Sequence, residues 1–599
     1  MPLYEYRKNA ENFIKVSDAC LNSFADGTQA VLAAIEKAVR SKETSGRKPV
    51  IAFDGWYGVD WKTINEKFKD YEKYDIANVF INRKKIAEYK QAYVTDDPGF
   101  GRVNSEGRIA DLIDNAKLEK LKNILLKNGS RVRLVYGSGA AADGWFPFDL
   151  IVYFDKTRQP LLWQMWDGKL VPFGGTEPDA GYHWKEYYYC DYYLLDRQKN
   201  FLYDKMDFWA AANSPDDLKA VPRVSYDEII QSALDYPIKE IKIFQPGPWG
   251  AYRYKDLFDV PGLECNAWNE LAGPELGVII DIGGKSFEMP FMNLMQYQEK
   301  LLGKHLTEAY PGLFPMDVWL DDGYFPKPEP AERISMPIHN HPSTDYVKRR
   351  FNEPLGRYET YYIAEAYEGA NTWMGFKDDC DLEAFEQKCR DSENLAPIPD
   401  WKNFVANHCS SAGDLYLIPP GTVHAHGGNQ MVLEMDTCPS AAGTEYSFFQ
   451  YDFARPSWDD EKKEMTGKPV KMHLEHAFDN EKWRRESWVK GHLLSKPKVE
   501  KWSKEYQKDI YASVPEMPFE IERFRFSSKY ENDTEGRFCH IPTLTTGKRV
   551  IVRSMSNPRL SAALDLWQSA VIPAAFGKYE IISEDGGYCE VVQIRWKKG

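Results

Sequence analysis

SMPIHNHPSTDYVKRRFNEPLGRYETYYIAE, residues 335–365, and GDLYLIPPGTVHAHGGN, residues 413–429, set the reading of this 599-residue chain. On a β-strand, residues two apart share a face, so His339 and His341 project together into whatever space the sheet encloses. Glu359 opens a second aromatic and β-branched run, and His424 follows a Pro-Pro-Gly turn that delivers it to a strand end. Three imidazoles and a carboxylate from distant segments then converge. That donor set suits a divalent transition metal with positions left for water or substrate, as catalytic rather than closed structural sites require.

His-x-His, then Glu on the next strand, then Pro-x-Gly-x-x-His resembles the double signature of the cupin barrel, a double-stranded β-helix. The flanks resemble the class I mannose-6-phosphate isomerases within that superfamily. The residues that carry the likeness are His339-Asn340-His341-Pro342, Arg357-Tyr358-Glu359, Pro419-Pro420-Gly421-Thr422-Val423-His424-Ala425 and Leu433-Glu434. Pro248-Trp249-Gly250, Asn266-Ala267-Trp268-Asn269-Glu270, Leu302-Gly303, Phe314-Pro315 and Tyr451-Asp452-Phe453-Ala454-Arg455 resemble further segments of the family. The likeness spans about the C-terminal three-fifths of the chain.

That resemblance implies an aldose-ketose isomerase that moves a proton between C1 and C2 of mannose 6-phosphate and fructose 6-phosphate through a cis-enediol. It implies one divalent metal on His339, His341, Glu359 and His424, zinc first, with manganese, iron or nickel compatible with the same donors. Arg357, Glu434 and Arg455 become the candidate catalytic residues: Glu434 for proton transfer, the two arginines for charge on a sugar oxyanion or phosphate. The chain also departs from the family. Arg357 replaces a lysine and cannot act as a base near neutrality, His339 replaces a glutamine, Pro337 a serine, and Ser447 stands nearest to an expected arginine. An isomerase of an unphosphorylated sugar, or a non-catalytic sugar-binding protein, is therefore the alternative expectation.

Composition bounds the partners. A hydrophobic content of 43% and an aromatic content of 14% belong to a packed globular protein, and the length exceeds one core. A net charge of −14 without a long basic run argues against nucleic acid or an anionic membrane surface. The expected partner is a small sugar or sugar phosphate. The sequence does not specify an oligomeric state. Residues 1–13 carry charges and no apolar core of a leader, no apolar run is long enough to span a bilayer, and the protein is read as cytoplasmic. Nine cysteines without a Cys-x-x-Cys pattern suit reduced thiols, with Cys409 and Cys438 expected as buried small apolar residues.

Three domains are expected: an α/β domain over 1–240, a metal-binding cupin domain with a helical insert over 241–470, and a linker with a second, metal-free cupin barrel over 471–599. A helix over 28–41 precedes KPVIAFDGWYGVDWKTINEKF, whose strand, glycine loop and helix resemble the opening of uridine-kinase-like P-loop proteins. The phosphate chemistry is missing, because Asp60 and Trp61 stand where Gly-Lys-Ser/Thr is needed, so the loop is read as degenerate. Alternating helices and the strands RVRLVYG and DLIVYFD predict a parallel sheet. HWKEYYYCDYYLLDRQKNFLYDKMDFWAAAN reads as a packing helix, and Gln245-Pro246-Gly247-Pro248 as a domain boundary. Leu566 to Ala574 resembles a cupin motif without its histidine.

Overall fold

The computed structural model describes residues 4–44, 47–245, 251–263, 268–324, 336–393, 398–451, 471–598 and the backbone at 458–459 and 464–465. Arg455, the Pro248-Trp249-Gly250 segment, Asn266-Ala267 and the boundary turn at 246–248 lie outside the described residues. The chain divides into two compact units, one of residues 12–233 with 277–296, the other of residues 1–11, 234–276 and 297–599.

The first unit is built on a mixed sheet in the order Ala25–Asp26, Lys219–Pro222, Phe208–Ala211, Leu150–Asp155, Val50–Gly55, Arg133–Tyr136, Glu72–Asp75. The last five run parallel. Val50–Gly55 is buried at every position, as expected for a strand covered on both faces. Ile51, Phe53, Leu134, Val152 and Phe154 pack with Val31 and Ile35 of the helix Thr28–Lys42. Each such side chain contributes roughly 1.5–3 kcal/mol by leaving water. The aromatic stretch 183–213 departs from the single packing helix expected. It is helical through Leu202 and then forms the strand Phe208–Ala211. Periodicity does not distinguish a short, wholly buried strand from a buried helical segment.

The second unit contains two pairs of antiparallel sheets. An eight-stranded sheet runs Tyr4–Tyr6, Lys242–Gln245, Trp268–Ala272, Asp317–Asp322, Gln430–Asp436, Glu359–Ala366, Leu415–Ile418, Leu494–Ser495. A five-stranded sheet runs Val405–Cys409, Asn371–Phe376, His424–His426, Ile338–Asn340, Phe448–Tyr451. The expected insert supplies the helix Leu382–Ser392. Cys438 is buried as expected, but Cys409 is exposed, because strand alternation turns it outward at the end of Val405–Cys409. The C-terminal pair of sheets encloses Phe524, Leu544, Val550, Val552, Leu564, Ile581 and Val591. Among the described residues, no helix is long and apolar enough to cross a membrane.

Candidate metal centre

His339 lies on the short strand Ile338–Asn340, in register with His424 at the start of His424–His426. His341 follows the first strand, and Glu359 opens Glu359–Ala366 in the eight-stranded sheet. The four side chains thus meet between the two sheets. One ligand atom from each falls within 4.8 Å of the others, and the residues are 2, 1, 1 and 0% exposed in the order His339, His341, Glu359, His424. The two motif loops are tied directly: the Gly421 amide donates to the His341 carbonyl at 2.9 Å. Arg484 donates to the Pro420 carbonyl at 2.8 Å and to the Thr422 hydroxyl at 2.7 Å.

Gly421 is required where it stands. Its φ is 71°, and a Cβ there would lie 2.3 Å from the Asn480 carbonyl oxygen. Gly421→Ala is expected to displace the turn that aims His424, costing about 1–3 kcal/mol in stability. Urea titration and metal content of the purified variant measure the two consequences.

The hydrogen bonds fix each imidazole. Nδ1 of His339 faces the Pro337 carbonyl at 2.8 Å, Nδ1 of His341 the Tyr446 carbonyl at 3.1 Å, and Nδ1 of His424 the Thr422 carbonyl at 2.9 Å. A carbonyl only accepts, so each Nδ1 carries the proton and Nε2 is left as a lone pair. Nε2 of both His341 and His424 lies 2.8 Å from the same Glu359 oxygen. Burial holds His339 well below the ordinary imidazole range, reinforced by His424 and His341, and burial also lowers His341. Burial alone would raise Glu359, but His341 and His424 outweigh it and hold the carboxyl well below its usual range. Neutral imidazole lone pairs converging on a carboxylate oppose one another unless a cation lies among them. The donor set therefore fits a divalent metal, with the Nδ1 contacts serving to orient the ligands.

The surroundings are acidic. Arg357, two residues before Glu359 and 2% exposed, donates to Asp436 at 2.8 Å. It stands 3.7 Å from Glu359, 3.8 Å from Glu434 and 4.0 Å from Asp317. Burial would lower the Arg357 pKa, but Asp436, Asp317 and Glu359 keep it well above its ordinary value, so the guanidinium stays charged. Glu434, on Gln430–Asp436 opposite Tyr361, is pushed well above the carboxylate range by burial and by Asp321. Its Oε1 has no hydrogen-bond partner.

His426 is a residue that the sequence reading passed over. It is 1% exposed, neither ring nitrogen has a hydrogen-bond partner, and burial pushes its pKa down to about 3. The ring of Tyr361 packs edge-on against both His424 and His426, with centroids 5.5 and 6.1 Å away. The signal was present in HAH, the same two-residue spacing that singled out His339 and His341.

Comparison with known proteins gives one family model and a set of partial relatives. The model of a family described as a domain of unknown function (DUF8485) matches residues 27–235. A mannose-6-phosphate isomerase of Streptococcus mutans is 23% identical over 237 residues, 39% of this chain and 63% of that protein. Mannose-6-phosphate isomerase ManA of Bacillus subtilis is 23% identical over 145 residues, 24% of this chain and 39% of that protein. The chain thus spans less than two thirds of the length of these curated relatives. Among solved structures, the mannose 6-phosphate isomerase from Bacillus subtilis aligns at a TM-score of 0.45 with 17% identity, over 60% of this chain and 99% of that one. A phosphomannose isomerase mutant from Salmonella typhimurium aligns at 0.43 with 11% identity, over 61% and 100%.

Proposed function

We propose that this protein is a metal-dependent aldose-ketose isomerase acting on mannose 6-phosphate and fructose 6-phosphate. The observation that carries the reading is the convergence of His339, His341, Glu359 and His424, each imidazole turned by a carbonyl so that Nε2 faces inward. The partial similarity to mannose-6-phosphate isomerases supports the choice of reaction. The reading keeps zinc as the first metal, with manganese, iron or nickel compatible with the same donors. Catalysis falls to residues 241–470, folded as a cupin barrel, flanked by a degenerate P-loop-like domain over 1–240 and a second barrel over 471–599.

In this reading the four ligands hold a divalent ion that, when bound, supplies Lewis acidity toward oxygen on the sugar. Isomerisation also needs a group that carries a proton between C1 and C2 within hydrogen-bond reach. Glu434 is that group: its free Oε1 can accept or donate, and the neighbouring acids favour its protonated form. Arg357 holds the charge of the acidic wall and offers Nη1, which makes no hydrogen bond and lies 4.0 Å from Asp317, to negative charge on the sugar. Arg455, outside the described residues, is assigned to an oxyanion or phosphate. Glu434→Gln is expected to lower kcat roughly 10²- to 10⁴-fold while leaving metal content unchanged.

A second reading, an isomerase of an unphosphorylated sugar, is favoured by one observation. Asp317, Glu359, Glu434 and Asp436 surround Arg357, so its charge is already engaged within the wall and is not set aside for a phosphate dianion. Incubating the metal-loaded protein in deuterium oxide with mannose 6-phosphate, fructose 6-phosphate and the free sugars tests both. Deuterium at C2 of the phosphates supports the first reading, and deuterium in free sugars alone supports the second. Exchange in neither leaves a sugar-binding protein without turnover.

A further inference from the structure

The parallel sheet of the first unit carries a cavity of about 600 Å³ that the isomerase reading does not use. It opens at the carboxyl ends of Val50–Gly55, Glu72–Asp75 and Arg133–Tyr136, where the loops after these strands form its wall. Open α/β sheets bind ligands at this end, beside the strand where the chain changes direction across the sheet. In the sheet order Val50–Gly55 is that strand, with Arg133–Tyr136 on one side and Leu150–Asp155 on the other.

The wall is built against phosphate. Asp60 caps the helix Trp61–Glu66 with its own carboxylate, accepting from the Thr63 amide at 2.9 Å and the Thr63 hydroxyl at 2.7 Å. An anion there would meet a fixed negative charge. The preceding loop turns the Gly58 carbonyl toward Lys156 and Gln164, which donate to it at 2.7 and 3.0 Å. Asp54, the last residue but one of the strand, is saturated by the amides of Gly55, Gly139 and Ala141 and by Gln198, all within 2.9 Å. Charges on the lining balance: Asp60, Glu66 and Asp75 against Lys62, Lys73 and Lys169.

One lining group asks for a ligand. Asn65 is 6% exposed, and neither Nδ2 nor Oδ1 of its side chain has a hydrogen-bond partner. Its main-chain carbonyl is satisfied by Lys73 at 2.7 Å, so the shortfall belongs to the side chain alone. A buried amide with both ends unpaired has lost its hydration without replacement. A ligand makes good that loss only if it presents a donor and an acceptor side by side. A hydroxyl is both. Ser138, Asp75 and Tyr136 add polar groups to the same wall, and Trp61, Phe80 and Phe173 add aromatic surface against which a ring's C–H face can lie. The volume lies in the range of small-ligand sites.

We infer that this cavity binds an uncharged polyhydroxylated ligand of hexose size, held by the Asn65 side chain, in a site separate from the candidate metal centre. The inference does not depend on the isomerase reading.

Hydrogen-deuterium exchange on the full chain tests it, with mannose, glucose and fructose at tens of millimolar as probes and with uridine, adenosine and ATP as comparisons. At least one free hexose is expected to protect peptides covering 57–66, 73–80 and 164–176. Asn65→Leu should weaken that protection roughly tenfold in half-saturating concentration, as the loss of two hydrogen bonds implies. Thr176→Trp, at an exposed position on the rim, should abolish it by filling the space and guards against misfolding of the first variant. No hexose protection of these peptides overturns the inference, as does protection by nucleosides or ATP in place of hexoses. Protection confined to peptides within 338–436 overturns it too, while leaving the barrel reading intact.

Discussion

Replacing His341 or His424 with alanine is expected to take the protein from about one equivalent of transition metal to almost none, with loss of all isomerase turnover. Each of these residues puts Nε2 2.8 Å from the same Glu359 oxygen, so each supplies one of the four converging donors. Elemental analysis of the variants and of wild type purified in parallel gives the answer. The fold should survive, because the Nδ1 of each ring bonds a single main-chain carbonyl and Glu359 keeps Arg357 at 3.7 Å and the remaining histidine beside it. Circular dichroism of the metal-free variants checks this. Asp60→Gly, in the other unit, should leave metal content as in wild type. Metal retained when both histidines are removed together would defeat the assignment of the centre.

How much of this centre the sequence discloses follows from how each residue is specified. His339 and His341 were legible because a strand period of two needs no knowledge of partners. His424 was legible because Pro419-Pro420-Gly421 encodes a turn that only glycine can close, as the 2.3 Å approach to Asn480 explains. Glu359 stood on a recognisable aromatic strand. The acidic wall was not legible, since Asp317, Asp321 and Asp436 sit on two strands far apart in the chain, and their meeting depends on the pairing of Asp317–Asp322 with Gln430–Asp436. Arg357 illustrates the same limit. Its departure from lysine is plain in the sequence, but the carboxylates that surround it are set by register. The parallel sheet was read from buried apolar runs such as VIAFDG. The packing of the hairpin Gly277–Ile282 and Lys285–Pro290 in the first unit, after a long excursion into the second, leaves no local trace.

The largest stability effect is expected at Arg357, and it tests whether the acidic wall is held by that one guanidinium. Arg357→Met keeps most of the side-chain volume but removes the only cation paired with Asp436 among the described residues, and with it the guanidinium that Asp317 and Glu434 also face. Breaking a buried ion pair by deleting one partner costs about 3–5 kcal/mol, because the remaining charge stays buried. Urea unfolding at neutral pH should show that loss. The deficit should also depend on pH in a definite direction. Burial already raises Asp436 well above the carboxylate range and Arg357 opposes that rise, so removing the arginine lifts it further. A carboxyl whose folded pKa exceeds its unfolded value binds more protons when folded, and its contribution to stability falls as pH rises between the two. The variant should therefore approach wild type as pH is lowered from neutrality toward the unfolded carboxylate pKa. Arg357→Lys should recover part of the stability, since a lysine returns the charge but lacks the planar fork that reaches several carboxylates together. A methionine variant as stable as wild type across that range would mean that the acids are already protonated, and that Arg357 does not set their charge.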